Sequence, residues 1–419
     1  MRPLRCAPMA LWVALLVGTA ASAAPERVAY ALILANNAST DPKQAPLRYA
    51  DDDGARYYEL FAPRTRETVL LSVLDAETQS LHPGLASQTR PPTRAALQEA
   101  LGRLNARMAE DRARGENPVL YFVFTGHGKR GPAGEGTVSL HDGVLTRTDL
   151  YEKVIASSRA SFLHLIVDAC DSYFLVNSRG ALPVAPARVE AVKSLLATRE
   201  LARYPHVGAV LSTTREQESH EWSAIRSGVF SHQVRSALAG AADVNADGRV
   251  EYSELQAFVA AANQGVEDVR GRLEVSIQPP ALDRATPLVD LGAEPRLGFL
   301  LLPRGLEGRL WVEDARGLRV TELHKARERS VVLGLPLGSG YHLRATGRET
   351  PFHLSRAGAV VDAAGLSWRE NAFAARGAME DTFRDRLFSV PFGPPFYNGY
   401  MASLGQPPVA PEQEPDLSP

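Results

Sequence analysis

The sequence predicts an α/β domain on a mostly parallel sheet, followed by a small all-β C-terminal module. Two observations carry this. From Arg27 to about Gly292, short apolar runs alternate with stretches of helical spacing, the pattern of strand–helix–strand units. Beyond Gly292 the runs shorten and Gly- or Pro-containing turns separate them, as in modules of sandwich type.

The elements follow in order. Val28 to Leu34 (VAYALIL) is continuously apolar, which suits a strand covered on both faces. Asp51 to Phe61 starts with acidic residues and continues with apolar positions at helical spacing. Val69 to Leu74 is a second strand, and a helix capped by Thr93 runs to about Arg107. Val119 to Phe124 is a third strand. Asp142-Gly143 is a hairpin turn between Thr137 to Leu140 and Val144-Leu145, and a short helix follows from Thr148 to Ile155. Phe162 to Val167 and Val207 to Leu211 are the fourth and fifth strands, joined by a long connection from Asn177 to Pro205 with a helical middle. In the module, Leu297 to Leu302, Gly308 to Val312, Arg329 to Leu333 and Tyr341 to Ala345 read as strands. The expected division is 1–23, 24–292, 293–400 and a disordered tail over 401–419, whose last residues are rich in Pro and acid.

The 419 residues are 45% hydrophobic and 22% charged, an ordinary globular balance. The formal net charge of -2 gives no electrostatic case for nucleic acid as a partner. Arg2 and Arg5 precede an apolar run from Met9 to Ala20, and Ala21-Ser22-Ala23 is a small-x-small cleavage pattern. Residues 1–23 therefore read as a signal peptide, too short for a membrane span, and no later stretch is long and apolar enough to be one. The mature chain is expected outside the cytoplasm, periplasmic or extracellular.

Of the two cysteines, Cys6 leaves with the signal peptide. Cys170 remains alone in an oxidising compartment, either as an inert buried side chain or as a reactive thiol. Its neighbours favour chemistry. The third strand ends in Thr125-Gly126-His127-Gly128, and the fourth in Asp168-Ala169-Cys170-Asp171-Ser172. Ligands bind at strand C-termini in parallel sheets, so a His and a Cys ending two strands would meet there. A nearby imidazole raises the thiolate fraction of a cysteine, which makes Cys170 a nucleophile and His127 its base. The glycines admit close backbone approach, and the N–H groups of Gly128 and Cys170 are the candidate oxyanion hole.

A strand ending in H-G, then about 40 residues on a strand ending in D-x-C, resembles the catalytic pattern of caspases, metacaspases and their bacterial relatives (peptidase C14). The resemblance covers about Arg27 to Gly292, including VAYALIL, the acidic start Asp51 to Asp53, and Gly228-Val229-Phe230. It implies a caspase-like three-layer α/β/α domain and a cysteine endopeptidase acting on a protein or peptide through a thioester, with no catalytic metal. Asp53 and Asp168 match positions lining the pocket for the residue before the scissile bond, where carboxylates favour Arg or Lys. Asp53 equally suits a helix start. The chain departs from the family at Asp171, whose charge beside the thiolate raises its pKa. The basic residues Arg179, Arg188, Lys193, Arg199 and Arg203 suit a self-cleavage site or an ordinary surface loop.

Asp243 to Glu254 fits a second site, the EF-hand-like calcium loop. Asp243, Asn245 and Asp247 fall at positions 1, 3 and 5, Gly248 at 6, the Arg249 carbonyl at 7, Glu251 at 9 and Glu254 at 12. A solvated acidic turn is the alternative. A second function class also stays open: a catalytically weak caspase-fold, calcium-responsive binding protein that shows its β module to a protein partner.

Overall fold

The computed structural model describes residues 26–131, 134–170, 172–176, 201–212, 221–267, 273, 275–294, 296–338, 340–370 and 383–407. The expected signal peptide, Asp171, residues 177–200 of the long connection, and 408–419 of the tail lie outside them.

Six strands form the main sheet: β1 (Arg27–Asn36), β2 (Glu67–Ser72), β3 (Asn117–Gly126), β4 (Phe162–Asp168), β5 (Val207–Ser212) and β6 (Val275–Gln278). Their order across the sheet is β6-β5-β4-β3-β1-β2. All neighbours are parallel except the edge pair β5 and β6. The mixed α/β class with a mostly parallel sheet is as expected. Four helices matter for the site: α1 (Ala50–Phe61), α2 (Arg94–Ala113), α3 (Val229–Ser236) and α4 (Tyr252–Asn263).

The unalternating VAYALIL has a direct cause. Tyr30, Leu32 and Leu34 pack with Leu97, Leu101, Leu104 and Met108 of α2. Ala31, Ile33 and Ala35 point the other way, into a cluster holding residues of α1, α3 and α4. Both faces of β1 are thus dry, as buried parallel strands require. Thr93 caps α2 as expected, its Oγ1 accepting from Ala96 N at 3.1 Å. The helix runs to Ala113 rather than Arg107, because Met108 and Asp111 extend its buried face.

Beyond the main sheet lie a three-stranded sheet, with Leu297–Leu302 between Val331–Pro336 and Val360–Asp362, and a five-stranded antiparallel one. The strands Arg319–Lys325 and Arg348–His353 escaped sequence reading because charged residues interrupt their alternation. In the first, Glu322 and Lys325 are buried. The edge strand β6 was also missed, since its apolar residues are only half-buried.

One apolar cluster joins these sheets to the α/β part. It runs from Ala31 and Phe61 through Val234 and Phe258 to Leu310, Leu333 and Phe388. Helix α3 is tied across by His232 Nε2, 3.0 Å from Glu322 Oε2, and by Ser236 Oγ, which accepts from Glu322 N at 3.0 Å. The terminal helix Pro394–Ser403 carries order past the expected boundary at 401. The burial of Tyr397 and Met401 and a 3.1 Å bond from Tyr397 Oη to Ser253 Oγ hold it.

Candidate active site

Strand order reverses between β1 and β3: the chain passes from β1 to β2 on one side, and from β3 to β4 and β5 on the other. Loops leaving the strand C-termini diverge at such a point and leave a crevice. Asn36 pairs with Gly126 across this divide, and Thr125 with Asp168. Two residues beyond this last pair lie His127 on the one side and Cys170 on the other.

Glycine lets the strand ends close up. A Cβ on Gly126, at φ 155°, would lie 2.8 Å from the Asn36 carbonyl oxygen. On Gly128 a Cβ would overlap the Cys170 carbonyl oxygen and come within 3.0 Å of Ala169 Cβ. The hairpin after His127 is fastened from both sides. Ser139 N donates to His127 O at 2.9 Å, and Asn36 Nδ2 donates to Ser139 O at 3.1 Å. Ser172 Oγ donates to Ser212 O, which ties the loop after β4 to the end of β5.

His127 is only 5% exposed, and its Nε2 has no hydrogen-bond partner. Burial pushes its pKa below the usual histidine range, against backbone hydrogen bonds with Ala45 and Asn37 that pull it up. Burial thus favours the neutral imidazole, and one of its nitrogens is uncommitted, as a general base requires. Cys170 is half-buried, and its carbonyl lies against Gly128.

Asp53 and Asp168, far apart in sequence, meet at Gly228. A Cβ there would stand 3.0 Å from Asp168 Oδ2 and 3.2 Å from Asp53 Oδ2. Asp53 accepts from Ser227 Oγ at 2.5 Å, Gly228 N at 2.8 Å and Arg235 Nη2 at 2.9 Å. Asp168 accepts from Ser231 Oγ at 2.6 Å and Ser231 N at 3.2 Å, and no cation among the described residues is bonded to it. Burial raises the pKa of both; the neighbouring charges of Asp53 and Glu221 add to the rise at Asp168, which reaches about 7. Both readings of Asp53 meet here, for it lies in the first turn of α1 and also beside Asp168. Arg235, Ser231 and Glu221 were missed. Arg235 shares α3 with Ser231, His232, Gln233 and Ser236, and nothing in that polar stretch separates it from a surface arginine.

The loop Asp243–Glu254 lies at the other end of the sheet. Leu288, which caps Val250 through its N–H, accepts through its carbonyl from Arg27, the first residue of β1. The loop wraps its own polar groups. Asp243 Oδ2 accepts from Gly248 N at 3.0 Å, Asn245 Oδ1 from Asp247 N at 3.1 Å, and Asp247 Oδ1 from Arg249 N at 2.9 Å. Gly248 has φ 78°, the left-handed turn that position 6 needs. The Glu254 carboxylate accepts from Val244 N and Glu251 N, each at 2.9 Å, while the Glu251 carboxylate caps α4. Asp243 is 5% exposed, yet its Oδ1 has no partner. Burial, then the charge of Asp247, pushes its pKa up to about 7. An orphaned carboxylate oxygen among oxygen donors fits a hard cation. Among the described residues, no group of three or more His, Cys, Asp or Glu side chains converges closely enough to hold a metal by itself. The other buried histidines serve packing: His164 Nδ1 lies 2.6 Å from Tyr252 Oη.

No helix among the described residues is long and apolar enough to cross a membrane. No family model and no curated protein matches the chain. The crystal structure of protein GSU0716 from Geobacter sulfurreducens is similar over 50% of this chain and 80% of that one, at 18% identity and a TM-score of 0.28. That likeness is too slight to carry an argument.

Proposed function

We propose that the protein is an exported cysteine endopeptidase of the caspase/metacaspase type, with a three-layer α/β/α domain and a Cys170–His127 dyad. One observation carries the reading: the ends of β3 and β4 press together at Gly128 and Cys170 so closely that a methyl group would not fit. That closeness is what a thiol and an imidazole on adjacent strand ends require.

In this reading His127 takes the Cys170 proton as the thiolate attacks the scissile carbonyl carbon. The oxyanion that forms is met by the N–H groups of Gly128 and Cys170. Collapse of the tetrahedral adduct breaks the C–N bond, and His127 returns its proton to the leaving amine. Water, deprotonated by His127, then hydrolyses the thioester and restores the thiol. Asp168 would meet an Arg or Lys side chain before the scissile bond, whereas Asp53 is already paired with Arg235. The loop residues Asp243, Asn245, Asp247, Glu251 and Glu254, with the Arg249 carbonyl, would hold Ca2+ as a structural ion, away from the dyad.

The test uses the full mature chain and a library of peptides. Hydrolysis after Arg or Lys, lost in Cys170→Ala, is expected; unchanged hydrolysis in that variant overturns the reading. A second reading, a calcium-responsive binding protein of the same fold, draws on the protonation of Asp168 near neutral pH, which weakens the pocket's charge. A Cys170 thiol that alkylates no faster than a free cysteine, with no cleavage of any library peptide, would select it.

A further inference from the structure

Helix α3 faces two ways. Ser231 and Arg235, four residues apart, share one stripe of it, where Ser231 donates to Asp168 and Arg235 to Asp53. His232 and Ser236 form the next stripe, about 100° further round the helix axis. That stripe meets the β module. His232 Nε2 lies 3.0 Å from Glu322 Oε2, Ser236 Oγ accepts from Glu322 N at 3.0 Å, and Thr321 Oγ1 donates to Ser236 O at 3.4 Å.

His232, Ser236 and Glu322 are all fully buried. Burial holds the His232 pKa down to about 4, so its imidazole is neutral near pH 7 and donates to a carboxylate that can only accept. Arg309 and Arg319 of the module answer the Glu322 charge. The same two guanidinium groups lie over the Trp222 ring, 5.9 and 5.4 Å from its centroid. Trp222 pairs with Ser227, and its neighbour Glu221 with Gly228, the residue just before α3. The module therefore grips both the helix and the hairpin that meet at Gly228. Turning α3 about its axis would draw Ser231 from Asp168 only by also drawing His232 and Ser236 from Glu322, and buried polar groups left unpaired are costly.

We propose that the β module is a positioning element for the Asp53 and Asp168 pair, with His232 and Ser236 as the positioning residues that set α3, and thereby Ser231 and Arg235, against the two carboxylates. The enzymatic consequence rests on the peptidase reading: a module that sets this pocket governs KM for Arg and Lys substrates and leaves the activation of Cys170 alone.

Urea unfolding of the full mature chain and of its Asp168→Asn variant, compared from pH 5 to pH 9, gives the pH at which Asp168 titrates, about 7 in the parent. The Ser231 bonds favour the carboxylate, so loosening them raises that midpoint. In a His232→Leu background it should rise by about half a pH unit or more. His232→Gln keeps a donor for Glu322 and should leave it in place. Should His232→Leu fail to fold, Ser236→Ala should raise the midpoint in its stead. With Arg-containing peptides, His232→Leu should raise KM about fivefold while Cys170 alkylates within about twofold of the parent rate. A merely structural role lowers stability equally at every pH and leaves the midpoint unmoved. An unmoved or lowered midpoint in the folded variants, or a His232→Gln variant that behaves as His232→Leu does, would overturn the proposal. An unchanged KM, or alkylation slowed in step with KM, would do the same. Absence of cleavage by the parent counts against the peptidase reading instead, and the midpoint still decides this one.

Discussion

Arg235 donates to Asp53 at 2.9 Å with both side chains buried, so this carboxylate is answered from inside the protein. In the proposed peptidase, a basic side chain would therefore meet Asp168 rather than Asp53.

Arg235→Met should cost on the order of 3 to 5 kcal/mol in urea unfolding, because it leaves Asp53 buried and unpaired. Adding Asp53→Asn should recover much of that loss, and a double-mutant cycle measures the coupling. Additive losses would mean that the pair is not the reason.

Asp168 gives a pH signature. Its folded-state pKa, about 7, lies above the ordinary carboxylate value, so protonation favours the folded protein. Its contribution is therefore full below about pH 4, falls as pH rises to about 7, and stays flat above. Asp168→Asn should match the parent near pH 4 and exceed it by roughly 4 kcal/mol at pH 8. A gain that does not change with pH would contradict this.

The same group bears on specificity. If Asp168 receives a basic side chain, the ratio of kcat/KM for Arg over uncharged residues should rise several-fold between pH 6 and pH 8. In Asp168→Asn that ratio should be flat.

Gly128→Ala places a methyl group against the Cys170 carbonyl and Ala169. Alkylation of Cys170 and peptide hydrolysis should each fall at least tenfold while the fold persists. Far-UV circular dichroism and a melting curve separate this from unfolding.

Calcium should raise the melting temperature of the parent by several degrees, and an Asp243→Ala/Glu254→Ala variant should not respond. Because the loop lies at the opposite end of the sheet from His127, kcat for the parent should change less than twofold below the melting range.

Much of the α/β part was legible because burial writes itself into the sequence. VAYALIL could belong to little else than a strand dry on both faces, and Thr93 announced the start of α2. The placing of His127 and Cys170 just past two neighbouring strand ends was legible because those ends close apolar runs in the sequence. The pairing of Asp53 with Arg235 was not, since contacts 182 positions apart leave no local pattern. Arg319–Lys325 hid for a related reason: its buried Glu322 is answered by His232 and Arg309, and the sequence shows only a charged residue where an apolar one was sought.

The apolar cluster that spans both parts has a temporal consequence. Phe388 bonds through its N–H to Ala262 O at 2.8 Å and packs its ring at a tilt against Phe258, in the layer that covers one face of the main sheet. A chain delivered N-terminus first carries β1, His127 and Cys170 out early, but that layer stays open until residues near 388 arrive. Completion of that layer thereby waits on the residues near 388, more than a hundred positions after α4.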